Sequence, residues 1–324
     1  GAGPLEELLH EPGVSDVLVN GPDAVFVDRG SGLEAADVRF VHDEAVRRLA
    51  IRLAATAGRR LDDAQPFVDG RLPGGVRLHA VLAPLASPGT CISLRVPASR
   101  TLTLEELHIA GSLTDEALEL CRRVIARKVP FLISGGTGTG KTTLLAALLA
   151  EVPATERIVV VEDARELTPR HPHCVRMEGR PPNNEGKGAI TLTTLVRQAL
   201  RMRPDRVVLG EVRGAELTDL LSALNTGHEG GCGTVHANSV ADVPARLEAL
   251  AALGGLGREA CHARLVLHLR RGPDGKRWLA EVGAFRRGTD GLVGIVPAMT
   301  FTGAATTWGP GAGLVRDWLE WSRC

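Results

Sequence analysis

The chain has 324 residues, 44% hydrophobic and 23% charged, a length that predicts about two globular domains with ample core. Lys and Arg number 38 and Asp and Glu number 38, so the formal net charge is zero and no overall field draws the protein to nucleic acid. Aromatic residues make up only 3%, too few for a base-stacking surface.

The cysteines (Cys91, Cys121, Cys174, Cys232, Cys261 and Cys324) form no C-x-x-C pair. Zinc is therefore not expected, and the thiols read as free in a reducing compartment. Glu6 and Glu7 stand where a secretory leader would be basic and then apolar, so no leader is expected.

The first third reads as an α+β domain. Leu5 to Leu9 predicts a short helix closed by Pro12-Gly13. Val14 to Asn20 and Ala24 to Asp28 are strands joined by the turn Gly21-Pro22-Asp23, and Val38 to Val41 predicts another short strand. Val46, Leu49, Ala50 and Leu53 then share one helical face, and Gly58 stops that helix. Three strand-like pieces follow: Phe67 to Asp69, Val76 to Leu82 and Cys91 to Val96. Arg77 and Arg95 interrupt the last two, and spacing alone makes each a solvated arginine on an open strand face.

The domains are expected at residues 1–97, an α+β unit, and 113–324, joined by a linker over 98–112. Within that linker Thr103-Leu104-Glu105-Glu106 has capping-box spacing and starts a helix. Asp115 to Lys128 is the next helix, with Thr114 as its cap.

Val129 to Ser134 is a buried-type strand, Leu144 to Ala150 a run of strong helix formers. Between them stands Gly135-Gly136-Thr137-Gly138-Thr139-Gly140-Lys141-Thr142-Thr143, which fits G-x-x-x-x-G-K-[ST]. Glycines let the backbone wrap a polyphosphate without Cβ clashes, and its N–H groups join the positive end of the following helix. Lys141 can reach the β- and γ-phosphates, Thr142 offers a hydroxyl to Mg²⁺, and Thr143 can assist. A bare glycine turn has no reason to carry Gly-Lys-Thr at this place.

Arg157 to Val161 predicts a strand ending in Glu162-Asp163-Ala164-Arg165-Glu166. Carboxylates at parallel-strand ends can orient or deprotonate an attacking water. Leu192, Leu195, Val196, Ala199 and Leu200 mark a helix stopped by Pro204. Arg206 to Leu209 is a third buried strand, and Glu211 follows it. Gly210 occupies the place where an NTPase usually carries aspartate, so Glu211 is expected to act alone through a Mg²⁺-bound water.

Leu217, Leu220, Leu221 and Leu224 mark another helix, ended by Gly227. His228 and His236 then flank a glycine-rich turn and a short strand. The ligands are too few for zinc, and the reading is a γ-phosphate sensor. Taken alone, either one reads as a structural histidine. Ser239 is a candidate cap for a helix through Leu250, and Gly272 to Gly275 is a turn between Arg264–Leu269 and Trp278–Val282. Gly291 to Val315 carries no charge, but Pro297, Pro310 and its glycines and threonines predict strands and turns, not a membrane helix.

Four ordered boxes carry a family resemblance: the loop Gly135–Thr143, the acidic run Val161–Leu167, the run Leu200–Gly214 and the histidine box Thr226–Asn238. The chain resembles the type II/type IV secretion ATPase superfamily, most of all ATPases of tight-adherence (Flp-type) pilus assembly and their conjugal-transfer relatives. Arg180-Pro181-Pro182-Asn183 and Ser15 to Pro22 are also similar to that branch.

The resemblance implies a cytoplasmic hexameric ring, peripheral to the inner face of the cell membrane, acting on a membrane platform protein. It implies an N-terminal PAS-like α+β domain, a C-terminal RecA-like P-loop domain, and ATP with Mg²⁺ between them. By similarity Lys141 and Thr142 bind phosphate and Mg²⁺, Glu162 is the catalytic carboxylate, Glu211 the atypical Walker B residue and Glu166 a lesser acidic-box candidate. His228 and His236 belong to the histidine box. Arg77 and Arg95 match arginines that relatives bring onto the phosphates, which reverses the reading from spacing. Cys232 departs from the Ser, Met or Leu more usual there. The competing readings are a nucleic-acid translocase of conjugal type and a nucleotide-gated scaffold that hydrolyses nothing. The charge balance opposes the first, the two glutamates the second.

Overall fold

The computed structural model describes residues 1–30, 32–97, 101–180, 182, 187–225, 230–252, 263–289, 291–303 and 305–321. They divide into two compact units, Gly1–Arg100 and Thr101–Cys324.

The first unit holds a six-stranded antiparallel sheet in the order β3-β2-β1-β6-β5-β4. Its strands are β1 (Asp16–Asn20), β2 (Val25–Asp28), β3 (Leu33–Ala35), β4 (Phe67–Arg71), β5 (Arg77–Val81) and β6 (Cys91–Arg95). Alternation decides which face is buried. Val17 and Val19 pair with Val27 and Val25 in register, and all four join Leu78, Ala80, Ile92 and Leu94 in one core. Helix α1 (Glu6–His10) and helix α2 (Asp43–Thr56) complete the unit. The predicted stripe Val46, Leu49, Ala50 and Leu53 is the buried face of α2.

The strand expected at Val38 to Val41 does not form. Leu33–Ala35 takes that edge by pairing with β2. Phe40 turns into the core while Val41 stays 91% exposed, which ends any alternation with the sheet.

The second unit holds a nine-stranded sheet in the order β15-β14-β13-β12-β7-β11-β10-β8-β9. Its strands are β7 (Phe131–Gly135), β8 (Ile158–Glu162), β9 (Cys174–Glu178), β10 (Arg206–Leu209), β11 (Cys232–His236), β12 (Leu265–Arg271), β13 (Arg277–Arg287), β14 (Val293–Thr302) and β15 (Ala305–Trp308). Neighbours from β12 through β9 run parallel; β13 to β15 add an antiparallel edge. Parallel strands covered on both faces need unbroken apolar runs. Phe131–Gly135 and Ile158–Glu162 are buried at every position.

Two cores follow from the two faces. Helices α3 (Leu104–Ile109), α4 (Asp115–Ala126), α5 (Lys141–Ala150) and α9 (Ala312–Leu319) cover one with Phe131, Ile133 and Leu267. Helices α6 (Leu192–Ala199), α7 (Glu216–Asn225) and α8 (Val243–Ala252) cover the other with Leu132, Val161 and Val266.

The capping box at Thr103 forms, with Glu106 answering the cap backbone, and Thr114 caps α4. Of the expected linker 98–112, α3 packs Leu104 and Leu107 into the second unit's core. The uncharged stretch 291–315 becomes β14, β15 and the start of α9. Among the described residues no helix is long and apolar enough to cross a membrane.

Candidate functional site

Strand β7 ends at Gly135 and α5 begins at Lys141, so the glycine loop spans the gap between a buried strand and a buried helix. Gly135 has φ +153°, and a Cβ there would meet Thr139 Oγ1 at 2.6 Å and Leu269 O at 2.7 Å. Only glycine fits this close approach. The Thr139 hydroxyl donates to Gly136 O at 2.9 Å and fixes the bend. Lys141 Nζ donates to Gly135 O at 3.0 Å and Gly136 O at 2.8 Å. Its ammonium thus folds back over the cradle. Burial pulls the Lys141 pKa below its ordinary value, while the Glu211 carboxylate opposes that shift. Thr142 and Thr143 occupy the first turn of α5, whose N-cap Gly140 has no side-chain cap hydrogen bond.

The neighbouring strands bring the other residues to the same edge. His236 ends β11 in register with Gly135. Leu209 of β10 pairs with Val161 of β8, so Gly210-Glu211 and Glu162 leave the sheet side by side. In an open parallel sheet this carboxyl edge is where ligands bind.

Glu162 is only 3% exposed. Its Oε1 accepts from Glu166 N at 3.0 Å and Leu167 N at 2.9 Å. Its Oε2 is buried with no hydrogen-bond partner. Burial pushes its pKa up; those two amides pull the other way. A buried carboxylate with one oxygen left over is what a general base or water-orienting group needs.

Gly210 explains the missing aspartate. A Cβ on it would lie 2.5 Å from Glu162 Cγ and 2.9 Å from Oε1. The position is glycine because Glu162 already fills the space a side chain would take. Thr234 Oγ1 donates to Gly210 O at 2.6 Å from β11, holding the strand end in place.

Glu211 accepts from Arg213 Nε at 2.9 Å, and Arg213 lies 3.9 Å from Asp163. Glu166 meets Glu162 through its backbone N–H.

His228 lies outside the described residues, as do Pro181 and Asn183. Arg77 and Arg95 belong to the first unit, where they are cross-strand partners on β5 and β6. Asp16 pairs with Arg95 on the far side, and Arg71 with Arg77. Both Arg77 and Arg95 are exposed.

Cys232, which departs from the residues usual between the histidines, is buried, and its thiol is pushed up to about 12 by burial. It is an inert core thiol.

Sequence reasoning missed Arg271 and Arg277. They face each other across the β12–β13 turn. A Cβ on Gly138 would meet Arg271 Nη1 at 3.3 Å, and one on Gly140 would meet Arg277 Cδ at 3.6 Å. Two more cations thus border the glycine loop. The signal was present: an arginine on each side of the Gly272–Gly275 turn must end up paired once the hairpin forms.

The chain matches the family model "Type II/IV secretion system protein" over residues 1–263. It is 57% identical over 299 residues to the putative conjugal transfer protein Rv3659c of Mycobacterium tuberculosis (strain ATCC 25618 / H37Rv), spanning 89% of this chain and 85% of that one. It is 32% identical over 249 residues to conjugal transfer protein TrbB of Rhizobium radiobacter, spanning 75% and 74% respectively. In fold it is similar to the Legionella pneumophila ATPase DotB, with a TM-score of 0.60 at 22% identity over 86% of this chain and 78% of that chain.

The glycine loop and the acidic strand ends meet at the carboxyl edge of the parallel sheet, and the class is an ATPase. The chain belongs to the type II/IV secretion system protein family.

Proposed function

We propose that the protein is a Mg²⁺-dependent ATPase motor that works as a homohexameric ring and powers pilus assembly or protein secretion at a membrane platform protein. The observation that carries the chemistry is Glu162, buried at the strand end with one carboxylate oxygen unpartnered. In this reading Gly135 to Thr143 hold the phosphates and Lys141 leaves the loop carbonyls for the nucleotide. Glu162 orients the attacking water and accepts its proton. Glu211 and His236 stand beside the terminal phosphate, joined by His228, with Glu166 as the lesser acidic candidate. Catalysis is positioning and charge stabilisation.

The residues fit a magnesium ion. Among the described residues no group of three His, Cys, Asp or Glu forms a metal cage. Mg²⁺ in phosphate-transfer sites takes few protein ligands and the rest from phosphates and water. The Thr142 hydroxyl and, through water, Glu211 are the donors it would use. Bound there, it would neutralise charge on the phosphate oxygens.

The second unit is read as a RecA-like P-loop domain and the first as a PAS-like domain. The two domains of this account are Gly1–Arg100 and Thr101–Cys324, with α3 of the expected linker belonging to the second. The pair Arg77 and Arg95 then serves as a cationic clamp on the phosphates. The tight-adherence pilus branch is favoured by the motifs at Ser15–Pro22 and Arg180–Asn183. The site of action is the cytoplasmic face of the cell membrane.

A second reading, an ATPase of conjugal DNA transfer, draws on the printed name of the 57%-identical relative. Light scattering of Glu162→Gln with Mg-ATP tests the ring: a mass near six subunits supports it, a monomer in saturating ATP refutes it. Turnover with and without single-stranded DNA separates the readings, since a pilus or secretion motor gains nothing from DNA.

A further inference from the structure

His268 is a buried titratable group that the reaction above does not use. It sits on β12, in register with Ser134 of β7, the residue directly before the glycine loop. His268 is 1% exposed and Ser134 0%, and the serine hydroxyl lies 2.9 Å from the imidazole Nδ1. On the other flank of β7, β11 ends at His236 beside Gly135. Asn238, just past it, hydrogen-bonds the same imidazole through its backbone. One ring therefore connects β12, the base of the phosphate loop and the segment that follows His236.

The surroundings make this placement costly. Leu132 and Val266 stand two residues earlier on the same strands and face the second core. A leucine at 268 would continue that apolar face, whereas a buried imidazole is tolerated only when its nitrogens are bonded. The β12–β13 ladder also breaks register between His268 and Leu269, and bulges re-aim side chains next to active sites.

Chemistry fixes the ring's state. Burial, then Arg270 on its own strand, hold its pKa below the ordinary value; Lys141 adds to this, while Asn238 and Asp242 oppose it. Glu281 is its register partner on β13. A bridge through a neutral ring needs Nδ1 to accept from the Ser134 hydroxyl and the other ring nitrogen to donate to the Asn238 backbone carbonyl.

We propose that His268 is a positioning residue for nucleotide turnover: by joining Ser134 to Asn238 it locks the base of the phosphate loop to the segment carrying His236. The inference rests on the ATPase reading and deepens it. Loss of the terminal phosphate, felt at His236, then reaches the loop through one rigid bridge.

The test is steady-state ATPase activity and melting temperature of His268→Leu, Ser134→Ala, their double variant and His268→Asn, beside wild type and Lys141→Ala. His268→Leu is expected to keep or raise the melting temperature and to hold KM for ATP within about threefold, while kcat falls about tenfold, the effect of one lost buried hydrogen bond. The double variant should be no worse than either single one, because both break the same bridge. His268→Asn, which retains an acceptor, should recover part of the rate. An unchanged kcat in His268→Leu overturns the proposal, as does a loss that merely tracks the melting temperature or multiplies in the double variant. Absence of turnover in wild type would instead sink the ATPase reading. In that case ¹⁵N shifts of the ligand-free imidazole decide alone. A protonated Nε2 and a bare Nδ1 that responds to Ser134→Ala support the bridge, and a protonated Nδ1 refutes it.

Discussion

Placing a side chain at Gly210 should disable the enzyme. A Cβ there would stand 2.5 Å from Glu162 Cγ, 2.9 Å from Oε1 and 3.2 Å from Cδ. Non-bonded carbons settle at about 3.5–4.0 Å, so Glu162 has to retreat by about 1 Å. It has little room, being 3% exposed, and the move strains the bonds from Glu166 N and Leu167 N. Overpacking of this kind costs about 1–3 kcal/mol of stability. A catalytic group displaced by about 1 Å costs about a hundredfold in rate. Gly210→Ala should therefore lower kcat by about a hundredfold with ATP affinity nearly intact, and Gly210→Asp by at least as much. The assay is steady-state turnover with calorimetric melting, repeated in a Glu162→Ala background. That background removes all three clashing atoms, so Gly210→Ala should there cost less than about 0.5 kcal/mol. A Gly210→Ala enzyme within threefold of wild-type kcat, or one equally destabilised in both backgrounds, would refute the packing argument.

Further outcomes follow from the same site. Burial raises the Glu162 pKa, so the folded state binds its proton more tightly than the unfolded chain does. Stability from this group is present at low pH and is lost as pH rises through the folded value; Glu162→Gln should raise the melting temperature more at pH 8 than at pH 4. The acid limb of the kcat profile should likewise lie above the ordinary carboxylate range, and a limb at or below it would contradict a buried base. Arg271→Ala and Arg277→Ala should each weaken nucleotide binding about fivefold to tenfold by calorimetry; unaltered affinity would remove both from the site. Maleimide labelling of the native protein should spare Cys121 and Cys232, both buried with thiols pushed up to about 12, and rapid modification of either would show an open core.

What could be read in the chain was what local chemistry dictates. A phosphate loop needs glycine, lysine and threonine at fixed spacing, so Gly135 to Thr143 announced itself. The buried strands β7, β8 and β10 are built on apolar runs (Phe131–Ile133, Ile158–Val161 and Val207–Leu209), and the acids at the ends of β8 and β10 were visible as acids. The stripe of α2 and the caps at Thr103 and Thr114 are local devices. The misses share a cause. The Arg271–Arg277 pairing follows from the hairpin turn, but that the two border the glycine loop, and that His268 meets Ser134, depends on residues more than a hundred positions away. Strand β9 is an edge strand with exposed Arg176, so its period is weak. The strand expected at Val38 to Val41 lost its place to Leu33–Ala35, a competition between two short segments that propensity does not resolve. The absence of an aspartate at 210 was legible, but its reason required the position of Glu162.

The most direct test of the account compares ATP hydrolysis and ATP binding in purified wild type, Glu162→Gln and Lys141→Ala. The account predicts steady turnover in wild type. Glu162→Gln should bind ATP with near wild-type affinity yet turn over at least about a hundredfold more slowly. Lys141→Ala should lose measurable binding. A Glu162→Gln protein that hydrolyses ATP at the wild-type rate would contradict the central claim, because the buried, half-satisfied carboxylate would then have no part in the chemistry.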